Sequence, residues 1–128
     1  MRLRFRVLAT LLAAIASLTA FTPAASAEPA GNCPETQFCL WDVWVNPGGE
    51  DARPTLVTDT DWTGDATAFR VYNGTRRYAL VEYQETLPDG SVRKYTDGCF
   101  VGPWGYFTRH FTVTKVTFHK TRPVSYCS

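Results

Sequence analysis

Apolar and polar residues along most of the chain alternate over short runs separated by turn formers, a strand pattern rather than a helical one. One long apolar run, Val7 to Leu18, stands apart near the N-terminus, broken only by Thr10 and Ser17. Downstream, Gln37 to Val45 is β-rich and aromatic, and Asn46-Pro47-Gly48-Gly49 ends it with turn residues. Thr55 to Thr58 predicts a short strand, and Asp59 to Asp65, with Trp62 inside it, reads as a loop. Phe69 to Tyr72 runs into Asn73-Gly74, a pair that predicts a hairpin turn because both residues tolerate positive φ. Tyr78 to Glu85 alternates with both faces partly apolar, Pro88-Asp89-Gly90 turns the chain, and Ser91 to Thr96 returns as a strand. Gly102-Pro103-Trp104-Gly105 predicts a loop with a bulky ring at its tip. Finally Phe111, Val113, Lys115, Thr117 and His119 oppose Thr112, Thr114, Val116, Phe118 and Lys120, the clearest strand of the chain. Some six strands with closely spaced turns predict an all-β fold, a small Greek-key sandwich.

The N-terminal run changes the picture of where the chain works. Arg2, Arg4 and Arg6 precede it, and Ala25-Ser26-Ala27 supplies the small residues a signal peptidase needs, which predicts export and cleavage after Ala27. The run is far short of the ~20 apolar residues of a spanning helix, so no membrane attachment is expected in the mature form. Residues 28–128 then form one β domain. Three of the 13 basic residues leave with the signal while all 12 acidic ones stay, so the net charge goes from +1 to −2. That balance argues against a nucleic-acid partner, which would favour a basic surplus.

All four cysteines, Cys33, Cys39, Cys99 and Cys127, lie in the mature part, and an even count in a small exported domain implies two disulfides. Three pairings are open; proximity favours Cys33–Cys39, which leaves Cys99–Cys127. The spacings lack the close-set ligand pairs of zinc motifs, and His110 and His119 sit apart, so no metal or other cofactor is expected. No serine lies in a G-x-S-x-G elbow and no nucleophile–base set is visible, which predicts a protein that is not an enzyme. Sixteen aromatics remain after Ala27, most of them expected to pack a core of limited size.

A short internal repeat relates LWDVWVNPGG (Leu40–Gly49) to VEYQETLPDG (Val81–Gly90). In each, a strand aromatic, Trp41 or Tyr83, is followed seven residues later by a glycine, Gly48 or Gly90, able to take positive φ. The opening Cys33-Pro34-Glu35-Thr36-Gln37-Phe38-Cys39-Leu40-Trp41 resembles the start of the secreted actinobacterial I36 peptidase-inhibitor family. Tyr72-Asn73-Gly74-Thr75 resembles the turn between that family's two halves. The resemblance covers Cys33 to Gly90 and implies a βγ-crystallin-like Greek-key fold and inhibition of an extracellular peptidase. The chain departs from the crystallin motif at Asn46 and Pro88, where a second aromatic is usual. It departs also at Asp59 to Ala68, where Asp61, Asp65 and Thr67 do not reproduce the calcium-binding order.

A rigid β scaffold suits binding, because a pre-organised loop has little entropy left to lose. Two loops are candidates: Asn46 to Arg53, with Arg53 before Pro54, and Gly102 to Tyr106, which carries Trp104. Each also has a plain structural reading, the first as an ordinary polar hairpin loop, Trp104 as a lid folded onto the core. The expected partner is a protein, an extracellular peptidase first. The alternatives are a secreted complex such as an antagonistic toxin assembly, in which this chain is a subunit or adaptor, and a cell-wall polysaccharide stacked on the aromatics.

Overall fold

Residues 31–46 and 52–127 are described by a computed structural model, in which the strand-forming runs become six antiparallel strands and no helix. They are β1 (Phe38–Trp41), β2 (Leu56–Thr58), β3 (Trp62–Asn73), β4 (Tyr78–Thr86), β5 (Val92–Phe100) and β6 (Trp104–His119). The predicted cleavage site after Ala27 and residues 47–51 of the first candidate loop lie outside the described residues. The all-β expectation holds, but the two-sheet sandwich is corrected. All six strands join one sheet in the order β2-β1-β3-β6-β4-β5, because the long strands β3 and β6 pair with each other at its centre.

That order repeats itself. The first half runs β2-β1-β3 and the second β5-β4-β6, meeting where β3 lies antiparallel to β6. Trp41 on β1 and Tyr83 on β4 therefore sit on corresponding strands. Gly90 takes a φ of +84° in the β4–β5 turn, where Asp89 Oδ1 accepts from the Ser91 amide. The matching Gly48 lies outside the described residues.

Alternation places two cores on opposite sides of β1, a strand buried at every position, as its unbroken apolar sequence requires. Phe38 and Leu40 join the larger core with Val71, Val81, Phe107, Phe111, Val113 and Val116. Cys39 and Trp41 join a smaller one with Cys33, Val45 and Tyr72. Each fully buried side chain of this size contributes about 1.5–3 kcal/mol. The disulfides Cys33–Cys39 and Cys99–Cys127 are both formed; the first ties the smaller core and the second fastens the C-terminal tail to β5.

Bulges set where side chains point. Thr114 faces Gly64 and Asp65 on β3 and is the extra residue of β6 against β4, between the pairs Glu82↔Lys115 and Tyr83↔Val113, so β6 changes phase there and both Val113 and Val116 are buried. The simple two-face reading of Phe111 to Lys120 fails at that residue. Further along, four β6 residues, Phe107 to His110, face the single residue Phe69 between the pairs Ala68↔Phe111 and Arg70↔Tyr106. The excess chain buries Phe107 and pushes Thr108, Arg109 and His110 outward.

Four local expectations change. β1 stops at Trp41 rather than Val45, since the next residues leave the sheet to bury Val45. Trp62 is the first residue of β3, paired with Val116, and not part of a loop. Trp104 opens β6 rather than tipping a loop, paired with Tyr72. Asn73-Gly74 does not close a hairpin, because β6 lies between β3 and β4. The left-handed residue of that turn is Arg76, with φ +59°. Gly74 is required for space: a Cβ there would lie 1.9 Å from the Glu35 carbonyl oxygen.

Candidate functional site

Three of the four tryptophans and one buried arginine build a column from the smaller core to the surface. At its base Trp41 is fully buried, its indole Nε1 donating to the carbonyls of Gly31 (3.2 Å) and Ala52 (3.3 Å). Trp104 stacks on it with ring centroids 5.9 Å apart and 23° between planes, and Tyr72 tilts against Trp104 at 5.0 Å. The Arg70 guanidinium lies 4.8 Å from the Trp104 ring centroid and 4.4 Å from that of Trp44. Trp44 caps the column and is 46% exposed.

Each layer has a local cause. Register shifts on β3 point Arg70 and Tyr72 to the smaller core and Val71 to the larger. Arg70 Nε donates to Val45 O and a terminal nitrogen to Gly105 O, both at 3.1 Å, so the buried cation is hydrogen-bonded as well as stacked. Burial lowers its pKa from the ordinary value, and an arginine stays charged through such shifts. Asn46 accepts from Trp44 Nε1 at 2.8 Å and fixes the capping ring.

Around Trp44 lies a rim of rings. Tyr106, 59% exposed, is 6.0 Å away and Phe69 is 6.1 Å away. His110 stacks on Phe69 at 5.0 Å and 18°, with Nε2 against the Asp42 carbonyl. The surface so formed is aromatic, with its charge held below it. Large rings fixed before contact are the groups that dominate binding energy at interfaces.

The candidates from sequence divide here. Asn46, Trp104 and Tyr106 come together around Trp44 and Arg70, Trp104 as a partly buried layer and Tyr106 as an exposed rim. Arg53 is exposed and makes no hydrogen bond or cation–π contact with the column, although its neighbour Ala52 supplies a carbonyl to Trp41. Cys33 and Cys39 brace the column's base, while Cys99 lies on β5 in the other half of the sheet and holds the tail residue Cys127 there. Trp44, Phe69, Arg70 and His110 were not singled out as site residues. Their signal was slight: a tryptophan two residues before a turn, and an Arg inside an apolar strand.

A second polar cluster staples β4, β5 and β6. Glu85 accepts from Tyr95 Oη at 2.5 Å and from Arg109 through both oxygens at 2.8 and 2.9 Å, with Arg93 at 3.8 Å. These bonds, Tyr95 first and Arg109 next, hold its carboxyl below the usual range, the reverse of what a general acid needs. Burial, with a hydrogen bond to Asp97, pushes the Tyr83 hydroxyl up to about 12. Among the described residues no three His, Cys, Asp or Glu side chains converge on a metal position, and Asp61 accepts from the Phe118 amide. No helix among them is long and apolar enough to cross a membrane. Comparison with protein-family models, with curated proteins and with solved structures returns no match.

Proposed function

We propose that this chain is exported, cut after Ala27, and acts without catalysis as a binding protein, in the first instance an inhibitor of an extracellular peptidase. The observation that carries the binding reading is the exposed aromatic surface headed by Trp44 on its stacked support. Two disulfides suit an oxidising compartment. The peptidase comes from the resemblance at Cys33 to Trp41, and the Greek-key, βγ-crystallin-like grouping belongs to the same proposal. Its structural support is the repeated three-strand order; β6 lies between β3 and β4, which differs from the 4-1-2-3 order of one Greek key.

A protein partner fits this surface better than a polysaccharide. Flat sugar stacking favours rings laid in one plane, whereas Trp44 and Tyr106 are tilted by 56° and Arg70 covers one face of Trp44. The test uses protein from culture supernatant, whose intact mass should begin at Glu28. It is titrated against a panel of serine and metallopeptidases beside Trp44→Ala. Wild type should suppress one class at near-equal molar amounts. The variant should bind that peptidase about 30-fold more weakly, as loss of a ~2 kcal/mol anchor implies. A wild type that inhibits nothing on the panel overturns the inhibitor reading.

A further inference from the structure

The turn between β3 and β4 is braced more heavily than joining two strands demands. Its brace is Asn73, 5% exposed, whose hydrogen-bonding groups are used on both sides of its amide. Nδ2 donates to the carbonyls of Arg77 and Phe100, each at 2.8 Å. Oδ1 accepts from the Thr75 amide at 3.1 Å and the Thr75 hydroxyl at 2.7 Å, and Thr75 Oγ1 accepts in turn from the Arg77 amide. Gly74 is clamped beneath: its amide donates to Gln37 O at 2.9 Å, and the Glu35 carbonyl fills the space where a Cβ would stand. Glu35 and Gln37 lie inside the loop closed by Cys33–Cys39, so the disulfide stands behind the turn.

The two arginines of this turn are used differently. Arg77 folds back, donating to the Asp59 carbonyl with its guanidinium 4.6 Å from the Phe118 ring centroid. Arg76 is exposed and makes no hydrogen bond or ion pair with any described residue. It also holds a φ of +59°, a conformation that disfavours any residue with a Cβ and that persists only where its surroundings impose it. Beside it a groove of about 520 Å³ runs past Glu35 and Pro103 to Tyr72. Tyr72, which lines that groove, also packs against Trp104, so the groove abuts a layer of the aromatic column.

Resting on the inhibitor reading above, we infer that Arg76 is the inhibitor's specificity anchor, in addition to the aromatic contact at Trp44, and that its target is a peptidase with an acidic pocket for arginine and lysine side chains. A free guanidinium on a rigid turn is the complement of such a pocket, and little entropy is lost on docking it. The same backbone explains why the turn is not consumed. A peptidase aligns its substrate as an extended strand, and left-handed Arg76, tied through Asn73 on both sides, cannot be laid out that way. The side chain is accepted while the 76–77 bond stays out of line for attack.

The test compares the secreted wild type with Arg76→Ala, Arg76→Lys and Arg76→Gly. Targets are a serine peptidase that cleaves after basic residues, one that cleaves after aromatic residues, and a metallopeptidase. Wild type should inhibit the first at least 100-fold more tightly than the others. Arg76→Ala should lose 100-fold or more, Arg76→Lys no more than about 10-fold. Arg76→Gly should lose inhibition while melting no lower than wild type, which separates anchoring from folding. Intact mass after long incubation should show no cut between Arg76 and Arg77. Inhibition of the basic-specific enzyme that Arg76→Ala leaves unchanged overturns this inference and leaves the inhibitor reading standing, as does inhibition confined to another class. Cleavage after Arg76 with loss of inhibition makes the turn a substrate and overturns it too. Inhibition of nothing overturns both.

Discussion

Replacing Trp104 with alanine separates a structural ring from a contact ring, and the column supplies the magnitude. An aromatic side chain buries about 150–250 Å². Trp104 is partly exposed, so the lower figure applies, and about 150 Å² at ~25 cal/mol/Å² gives roughly 4 kcal/mol. The cation–π contact with Arg70 adds roughly 0.5–1 kcal/mol. Against this, the indole Nε1 is buried with no hydrogen-bond partner among the described residues, and its removal returns about 1–3 kcal/mol. The net expectation for Trp104→Ala is a loss of about 3 kcal/mol. In a domain of this size each kcal/mol moves Tm by ~4–8 °C, so the variant should melt roughly 12–24 °C below wild type. Trp44→Ala is the control. It removes a half-exposed ring, one cation–π contact and the bond to Asn46, and at the same rate about 100 Å² of buried ring gives roughly 2–3 kcal/mol. Thermal melting by circular dichroism, with urea unfolding beside it, reads both variants. A Trp104→Ala protein that melts within about 4 °C of wild type would show that the ring does not support the column. A Trp44→Ala protein that loses more stability than Trp104→Ala would refute the division into inner layer and outer cap.

Two further outcomes follow from particular bonds. The Cys99–Cys127 bridge spans 28 residues and Cys33–Cys39 only 6, so loop-closure entropy assigns them about 3.6 and 2.2 kcal/mol. Replacing both cysteines of the longer bridge with serine should therefore lower the urea midpoint more than replacing the shorter pair, and the reverse order would count against that account. Tyr83 should make stability fall in alkali: its hydroxyl ionises near 10 when unfolded and near 12 when folded, so the folded state holds the proton more tightly. Its contribution is complete below pH 10 and is lost as pH rises from 10 to 12. Unfolding followed across that window should show a shallower decline for Tyr83→Phe than for wild type, and identical declines would refute the assignment.

Much of the scaffold was legible along the chain because the forces that set it are local. Tyr78 to Glu85 alternates, Asp89-Gly90 can turn the chain and Ser91 to Thr96 can return, so β4 lies where pattern and turn chemistry placed it, while β5 begins there and runs on to Phe100. Gln37 to Val45 reads as a strand from its β-forming, aromatic residues, of which Phe38 to Trp41 pair in the sheet, and cysteine parity with a short first spacing gave both bridges. The repeat between Trp41…Gly48 and Tyr83…Gly90 was visible as residue types; its meaning as two three-strand halves came only from the pairing. Asn73-Gly74 misled, because positive φ and lack of space both favour glycine, and only the packed Glu35 carbonyl distinguishes them. The phases of β3 and β6 depend on bulges, which arise when two strands of unequal demand are forced into register across a sheet. A one-residue phase change reverses every later side chain, and that is what aims Arg70 between Trp44 and Trp104. These residues lie 26 and 34 positions from Arg70. No periodicity within one strand can announce a contact made across three, so composition and local pattern determined the strands and bridges, while tertiary packing decided the column and the surface it presents.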